Sequence, residues 1–228
     1  MLLKKIINIF LIKFSPQRKN SSVLSHEFHS YRKLTVAKLH LAFKKHRNQK
    51  FKENISFIKK KKLNDLVIDI GSGTGINTIY LAKYFKKIIA VEPSKPASKI
   101  SRKYFSKYKN TFWINEYAED FLKKIKLKKK TFFQTFHVLS HLDNKTVEKI
   151  LFELNSDKIP IGSALCFDEL FSNKQISKFT FYVRTKLFWS KNLSNWELNF
   201  SKDKLEGFKE LNTHERKIYR YFKGIKKK

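Results

Sequence analysis

Asp69, Gly71, Gly73 and Gly75 fall at alternate positions of the stretch 66–75, LVIDIGSGTG. A glycine backbone reaches φ > 0 and places no Cβ in the path of a ligand. A carboxylate beside such a turn offers acceptors to hydroxyl or ammonium groups. Glu92 lies 17 residues beyond Gly75, and its two oxygens can accept from two adjacent hydroxyls, as on a ribose. His137 and His141 follow in the string FHVLSHLD at 136–143. An unperturbed imidazole titrates near about 6.5 and can take a proton at cellular pH. These residue types suit a nucleotide-like cofactor and a nucleophile that must lose a proton.

The surrounding elements must bring these groups together. Residues 66–70 are an apolar run with one aspartate, the composition of a strand buried on both faces. The segment INTIYLAKYF at 76–85 suits a helix. Strand, glycine turn and helix N-terminus together make a nucleotide-type pocket. The glycine spacing is neither GxGxxG nor a P-loop. A second buried strand, IIAVE at 88–92, ends on Glu92, and Pro93 and Pro96 punctuate the turn before a basic helix over 97–108. Strands are predicted at 111–115, 131–136 and 163–170, and a helix at 145–155 with Asp143 or Asn144 as N-cap. Segments 207–211 and 217–222 read as a closing antiparallel pair, and the lysine-rich end as a solvated tail. Strands alternating with helices argue for an α/β fold, a parallel sheet with helices on both faces.

The pattern D-x-G-x-G-x-G resembles motif I of the class I S-adenosylmethionine-dependent methyltransferases. EYAEDFL at 116–122 resembles the adenine-side segment of that family, D-A-E-D-L; Ala118, Glu119 and Asp120 match, and Tyr117 replaces the first acid. FHVLSHLD resembles F-H-V-L-E-H-L-D, common among its small-molecule members; Ser140 stands in place of Glu, and Thr131 in place of the Asp that usually opens the strand. The resemblance spans 67–143. It implies a Rossmann-like seven-stranded, mostly parallel sheet whose last strand is antiparallel. A basic helical N-terminal extension at 1–62 would precede a methyltransferase domain at 63–228, with an aromatic-rich insertion at about 171–200.

The implied cofactor is S-adenosyl-L-methionine. Gly71, Gly73 and Gly75 would pass close to its amino-acid and ribose part. Asp69 would hold the amino-acid end and Glu92 the ribose. Ala118 and Glu119 would flank the adenine, and Phe136 would lend backbone near the methionyl group. His141 and His137 are the candidates for general base or substrate contact. No metal is carried over, because His137 and Ser140 stand in the segment where some relatives have acids. The expected acceptor is a small molecule with an oxygen nucleophile. The D/N-P-P-Y string used on base amino groups is missing after strand four, and there is no catalytic cysteine motif. RNA is the alternative acceptor, and a non-catalytic cofactor-binding module is the third reading.

The 228 residues carry a net charge of +31 and are 41% hydrophobic and 15% aromatic, which suits one domain with a substantial core. Lysines dominate the charge and are spread along the chain, as the bias of an A+T-rich genome would leave them. The charge still favours loose, salt-sensitive contact with polyanions. The single Cys166 rules out an internal disulfide, and no CxxC spacing suggests zinc. His26, His29, His40 and His46 are scattered among lysines and read as surface residues. Within segment 1–14 the apolar core from Ile6 to Ile12 is far shorter than the ~20 residues that span a bilayer. A packed helix or loose terminus is preferred there over an interfacial helix, which leaves open weak contact with an anionic membrane surface. The expected location is cytoplasmic, with peripheral membrane attachment as the variant. Phe179, Phe181, Tyr182, Phe188, Trp189 and Trp196 either stack on a flat substrate or pack an inserted helix pair. The oligomeric state is not read from the sequence.

Overall fold

The computed structural model describes residues 51–136, 138–169, 171–172, 176–178, 181–200, 218–219 and 222–228. Segment 1–14, the four N-terminal histidines, His137 and segment 207–211 lie outside the described residues. Helix α1 (Phe51–Lys61) leads into β1 (Leu66–Ile70), the glycine turn and α2 (Ile76–Leu81). Then come β2 (Lys87–Val91), α3 (Lys95–Phe105), β3 (Thr111–Ile114), α4 (Ala118–Lys124) and β4 (Phe132–Phe136). A single 3-10 turn (Leu139–His141) precedes α5 (Asn144–Asn155) and β5 (Ala164–Asp168). Asp143 is the N-cap of α5 and accepts from the Thr146 amide at 2.7 Å.

The main sheet has seven strands. In spatial order they are β3, β2, β1, β4 and β5, then β11 (Phe222–Lys226) and β9 (Trp196–Phe200). Strands β1 to β5 are parallel, and β11 runs antiparallel to both of its neighbours. The Rossmann-like, mostly parallel sheet expected from the sequence is therefore present. Strand order reverses beside β1, which pairs with β2 on one side and β4 on the other. Ligands of open α/β sheets bind at the strand C-termini of such a switch point. The glycine turn and the loop after β4 both sit there.

Side chains alternate across the sheet. Ile68 and Ile70 face a core with Phe133, Leu151, Trp189 and Phe222, whereas Val67 faces Ile55, Ile58, Phe85 and Phe132. Residues of α1 thus cover one sheet face, and α5 and Trp189 the other.

Two elements differ from the sequence reading. The segment after β5 is not a helix pair. It holds β6 (Phe171–Ser172), β7 (Ile176–Lys178), β8 (Phe181–Thr185) and one helix, α6 (Lys186–Asn192). With β10 (Ile218–Tyr219), the first three form a small second sheet in the order β10, β6, β8, β7. Trp189 and Trp196 are buried in the main core, which removes both from any substrate-stacking role. The closing antiparallel pair is β9 with β11, and β11 occupies what reads as a lysine-rich tail. Its Phe222, Gly224 and Lys226 are buried. Lys226 Nζ donates to Asn155 O at 3.2 Å and to Ser156 O, so its ammonium satisfies carbonyls at the end of α5.

Candidate active site

The glycine turn is built on positive φ. Gly71, Gly73 and Gly75 have φ of 68°, 57° and 81°. The protein itself fills the space beside two of them. A Cβ on Gly71 would lie 2.4 Å from Val138 Cγ2, and one on Gly75 would lie 2.5 Å from the Trp113 ring. The loop after β4 and strand β3 therefore close directly on the turn. The Gly71 and Ser72 amides donate to Val91 O at 2.8 and 3.0 Å, tying the turn to the end of β2.

Glu92 is 6% exposed. Its Oε2 accepts from the Gly73 amide and its Oε1 from the Ser94 amide, both at 2.8 Å. Each carboxylate oxygen keeps a second lone pair. Burial pushes the Glu92 carboxyl up to about 7; the Ser94 and Gly73 amides oppose this shift, and the Asp69 charge adds to it. Asp69 is 1% exposed and lies between Ala90 and Gln134 in the sheet. It accepts from Thr78 Oγ1 at 2.5 Å and from Gln134 Nε2 at 3.3 Å. Burial raises it to about 6 against those two hydrogen bonds. Asp69 thus joins β1 to α2 and β4 beneath the turn.

Ala118 is buried at the first position of α4. Glu119 follows in the first turn of α4. Burial raises its carboxyl, and the neighbouring charges are Asp120, Lys149 and Asp143. It lines a surface cleft with Lys145, Lys149, Phe152 and Lys191, in which no residue of the glycine turn takes part. Phe136 ends β4 half-buried, paired with Asp168. His141 ends the 3-10 turn partly buried, its amide donating to Val138 O at 3.0 Å.

Two residues of this region are not apparent from the sequence. Glu169 is 0% exposed and accepts from the Val138 amide, the Ser140 amide and Ser140 Oγ, each at 2.9 Å. Ser140 occupies the position of the expected Glu, and a carboxylate reaches the loop from the end of β5 instead. Arg184 of β8 is 1% exposed and donates to Leu139 O at 2.7 Å, Leu142 O at 2.6 Å and Asn144 Oδ1 at 3.1 Å. The acid pair 168–169 closing a buried strand was a signal for the first. Arg184 reads as one more cation in a basic chain.

The model of the ribosomal RNA adenine dimethylase family matches residues 36–189, more than half of the chain. The chain belongs to that family. That family is one of S-adenosylmethionine-dependent methyltransferases. A solved S-adenosylmethionine-dependent methyltransferase of Leishmania major is similar to it, with a TM-score of 0.66 and 14% identity, over 93% of this chain and 85% of that one. Magnesium protoporphyrin IX methyltransferase of Synechocystis, solved with S-adenosylmethionine, has a TM-score of 0.61 and 11% identity, over 92% of this chain and 99% of that one. Such likeness is one of fold. A Dictyostelium discoideum protein named as a methyltransferase is 64% identical over 31 residues, and the chain spans 12% of that relative's length.

The residues at the switch point fit the cofactor. The turn has three left-handed glycines. Among the described residues, the buried Ser72 Oγ and Asn77 Oδ1 beside it have no hydrogen-bond partner, as expected where a polar ligand binds. Among the described residues, no helix is long and apolar enough to cross a membrane.

Proposed function

We propose that this methyltransferase acts on the oxygen of a small molecule, with Asp69, the glycine turn and Glu92 holding the cofactor and His141 taking the acceptor proton. The observation that carries the reading is the loop after β4. It is FHVLSHLD, without the D/N-P-P-Y string that serves amino groups of bases, and it carries the partly buried His141. The magnesium protoporphyrin IX methyltransferase with the same fold acts on a small molecule, and that supports the class.

The bound cofactor supplies a sulfonium methyl group. The chain's residues position it. The glycine turn lets backbone approach, Glu92 accepts from the ribose hydroxyls through its remaining lone pairs, and Ala118 flanks the adenine. Positioning accounts for much of the rate in such an in-line displacement. His141 would take the hydroxyl proton of the acceptor as its oxygen receives the methyl group that the cofactor would supply. His137 is the rival base.

A second reading has its own support. The family is that of ribosomal RNA adenine dimethylases, and the chain carries a net charge of +31. RNA is then the acceptor and basic residues the contact. The test is cofactor binding by calorimetry, followed by transfer of labelled methyl from S-adenosylmethionine to a small-molecule extract and to total RNA in parallel. Label in the small-molecule fraction supports the first reading; label confined to RNA replaces it with the second. Failure to bind the cofactor overturns both.

A further inference from the structure

The loop that carries Ser140 and His141 is one turn of 3-10 helix, Leu139–His141. Such a turn is too short to hold itself together. Its first amides and last carbonyls need partners from elsewhere. Glu169 supplies a carboxylate to the start, accepting from the amides of Val138 and Ser140 at 2.9 Å. Arg184 supplies a guanidinium to the end, donating at 2.6 Å to the carbonyl of Leu142, which follows the turn, and at 2.7 Å to that of Leu139, which also accepts the turn's own bond from the Leu142 amide. An anion at the amide end and a cation at the carbonyl end also match the dipole of the turn. Both groups are almost wholly buried, so their charge-assisted hydrogen bonds are little weakened by solvent.

The fourth contact of Arg184 fixes its own strand. It donates to Tyr182 O at 3.4 Å, and its guanidinium carbon lies 5.4 Å and 5.8 Å from the Phe188 and Trp189 ring centroids. Arg184 therefore joins the segment after β5 to the loop after β4. On the other side of that loop, Val138 packs against Gly71. We propose that Glu169 and Arg184 are positioning residues for methyl transfer, which clamp the two ends of the 139–141 turn and so set the place of His141 relative to the glycine turn. Neither touches cofactor or acceptor. This rests on the reading of that loop as the acceptor side.

The test uses the full chain saturated with S-adenosylmethionine and the variants Arg184→Met, Arg184→Lys and Glu169→Gln. Amide hydrogen exchange is followed at Val138, Ser140 and His141, cofactor affinity by calorimetry, and methyl transfer on the acceptor fraction found above. In Arg184→Met, exchange at Ser140 and His141 should rise about tenfold or more. kcat should fall by roughly ten- to a hundredfold, as a misplacement of about 1 Å would cause, with cofactor affinity within about threefold of wild type. Arg184→Lys should recover part of the turnover, because it keeps a cation but not the forked geometry. Glu169→Gln, which keeps volume and one acceptor, decides the matter if Arg184→Met does not fold; it should speed exchange at Val138 and Ser140. Unchanged exchange in these variants overturns the proposal, as does a parallel fall of cofactor affinity, thermal stability and turnover. If no acceptor fraction is labelled, the acceptor reading fails, while exchange and affinity still judge the clamp.

Discussion

Glu92 Oε2 accepts a hydrogen bond from the Gly73 amide at 2.8 Å, so the carboxylate proposed to hold the ribose also braces the turn that faces the cofactor. Its removal should act twice, through the lost ribose contacts and through the slackened turn. Loss of charge-assisted hydrogen bonds costs on the order of 1.5–3 kcal/mol, or roughly 10- to 150-fold in affinity. Glu92→Ala is expected to weaken S-adenosylmethionine binding by at least that range in calorimetry. A folded variant with wild-type affinity would refute the assignment.

Stability without cofactor should fall as pH rises through neutrality. Asp69 is raised from 3.8 to about 6 and Glu92 from 4.5 to about 7, both chiefly by burial. Between each ordinary and raised value the native state holds a proton that the unfolded chain has released. The contribution is therefore fully present below about pH 4 and lost as pH passes through about 6 and then 7. Each pKa unit corresponds to roughly 1.4 kcal/mol. Thermal midpoints at pH 5 and pH 8 should differ less in Asp69→Asn/Glu92→Gln than in wild type. An unchanged difference would show that other groups govern it.

Gly71→Ala should strain the turn and push Val138 away, because the added Cβ meets Val138 Cγ2 at 2.4 Å with φ at 68°. Backbone strain of this kind costs roughly 1–3 kcal/mol. A second change, Val138→Ala, should return part of the lost thermal stability by making room. Simple additivity of the two losses would show that the contact is not the cause.

His141→Ala is expected to lower turnover by about 100-fold or more while cofactor affinity stays nearly intact. Near-normal turnover at saturating acceptor would exclude His141 as the base and leave His137.

Binding to RNA should be weak at physiological salt and indifferent to sequence, if the basic charge is mostly generic. Electrophoretic or fluorescence titration against several RNAs at two salt concentrations checks this. Tight, selective binding would favour the RNA reading.

The parts legible in the sequence share one physical cause. A parallel strand covered on both faces must be apolar along its length, so the runs at 66–70, 88–91 and 132–136 stand out. The glycines that end the first run stand out for the same reason as their φ values. Their alternation with helices argued for a parallel sheet, and its seven strands came only with the family resemblance. What was hidden lies where burial and polarity coincide. Lys226 looks solvated because its charge is visible and its buried stem is not. Arg184 and Glu169 are buried because each bonds to backbone distant in sequence, and no local periodicity records that. The split between β9 and β11 was hidden too, since Gly224 and Lys226 hold core positions that a pattern of apolar side chains would not assign.

The placing of β11 between β5 and β9 also bears on the order in which the sheet assembles. Strands β1 to β5 bond to one another through crossovers of ordinary length, but β9 pairs with β11 and not with β5. Joining Ala164 to Ile225 closes a long loop before β9 can dock. The β1–β5 part can therefore condense first, and β9 and β11 then dock to complete the shared core. In the native protein the same division should show as two tiers of opening. The segment that brings Arg184 to the loop hangs between β5 and β9, so the acceptor side would come loose at lower free energy than the cofactor side.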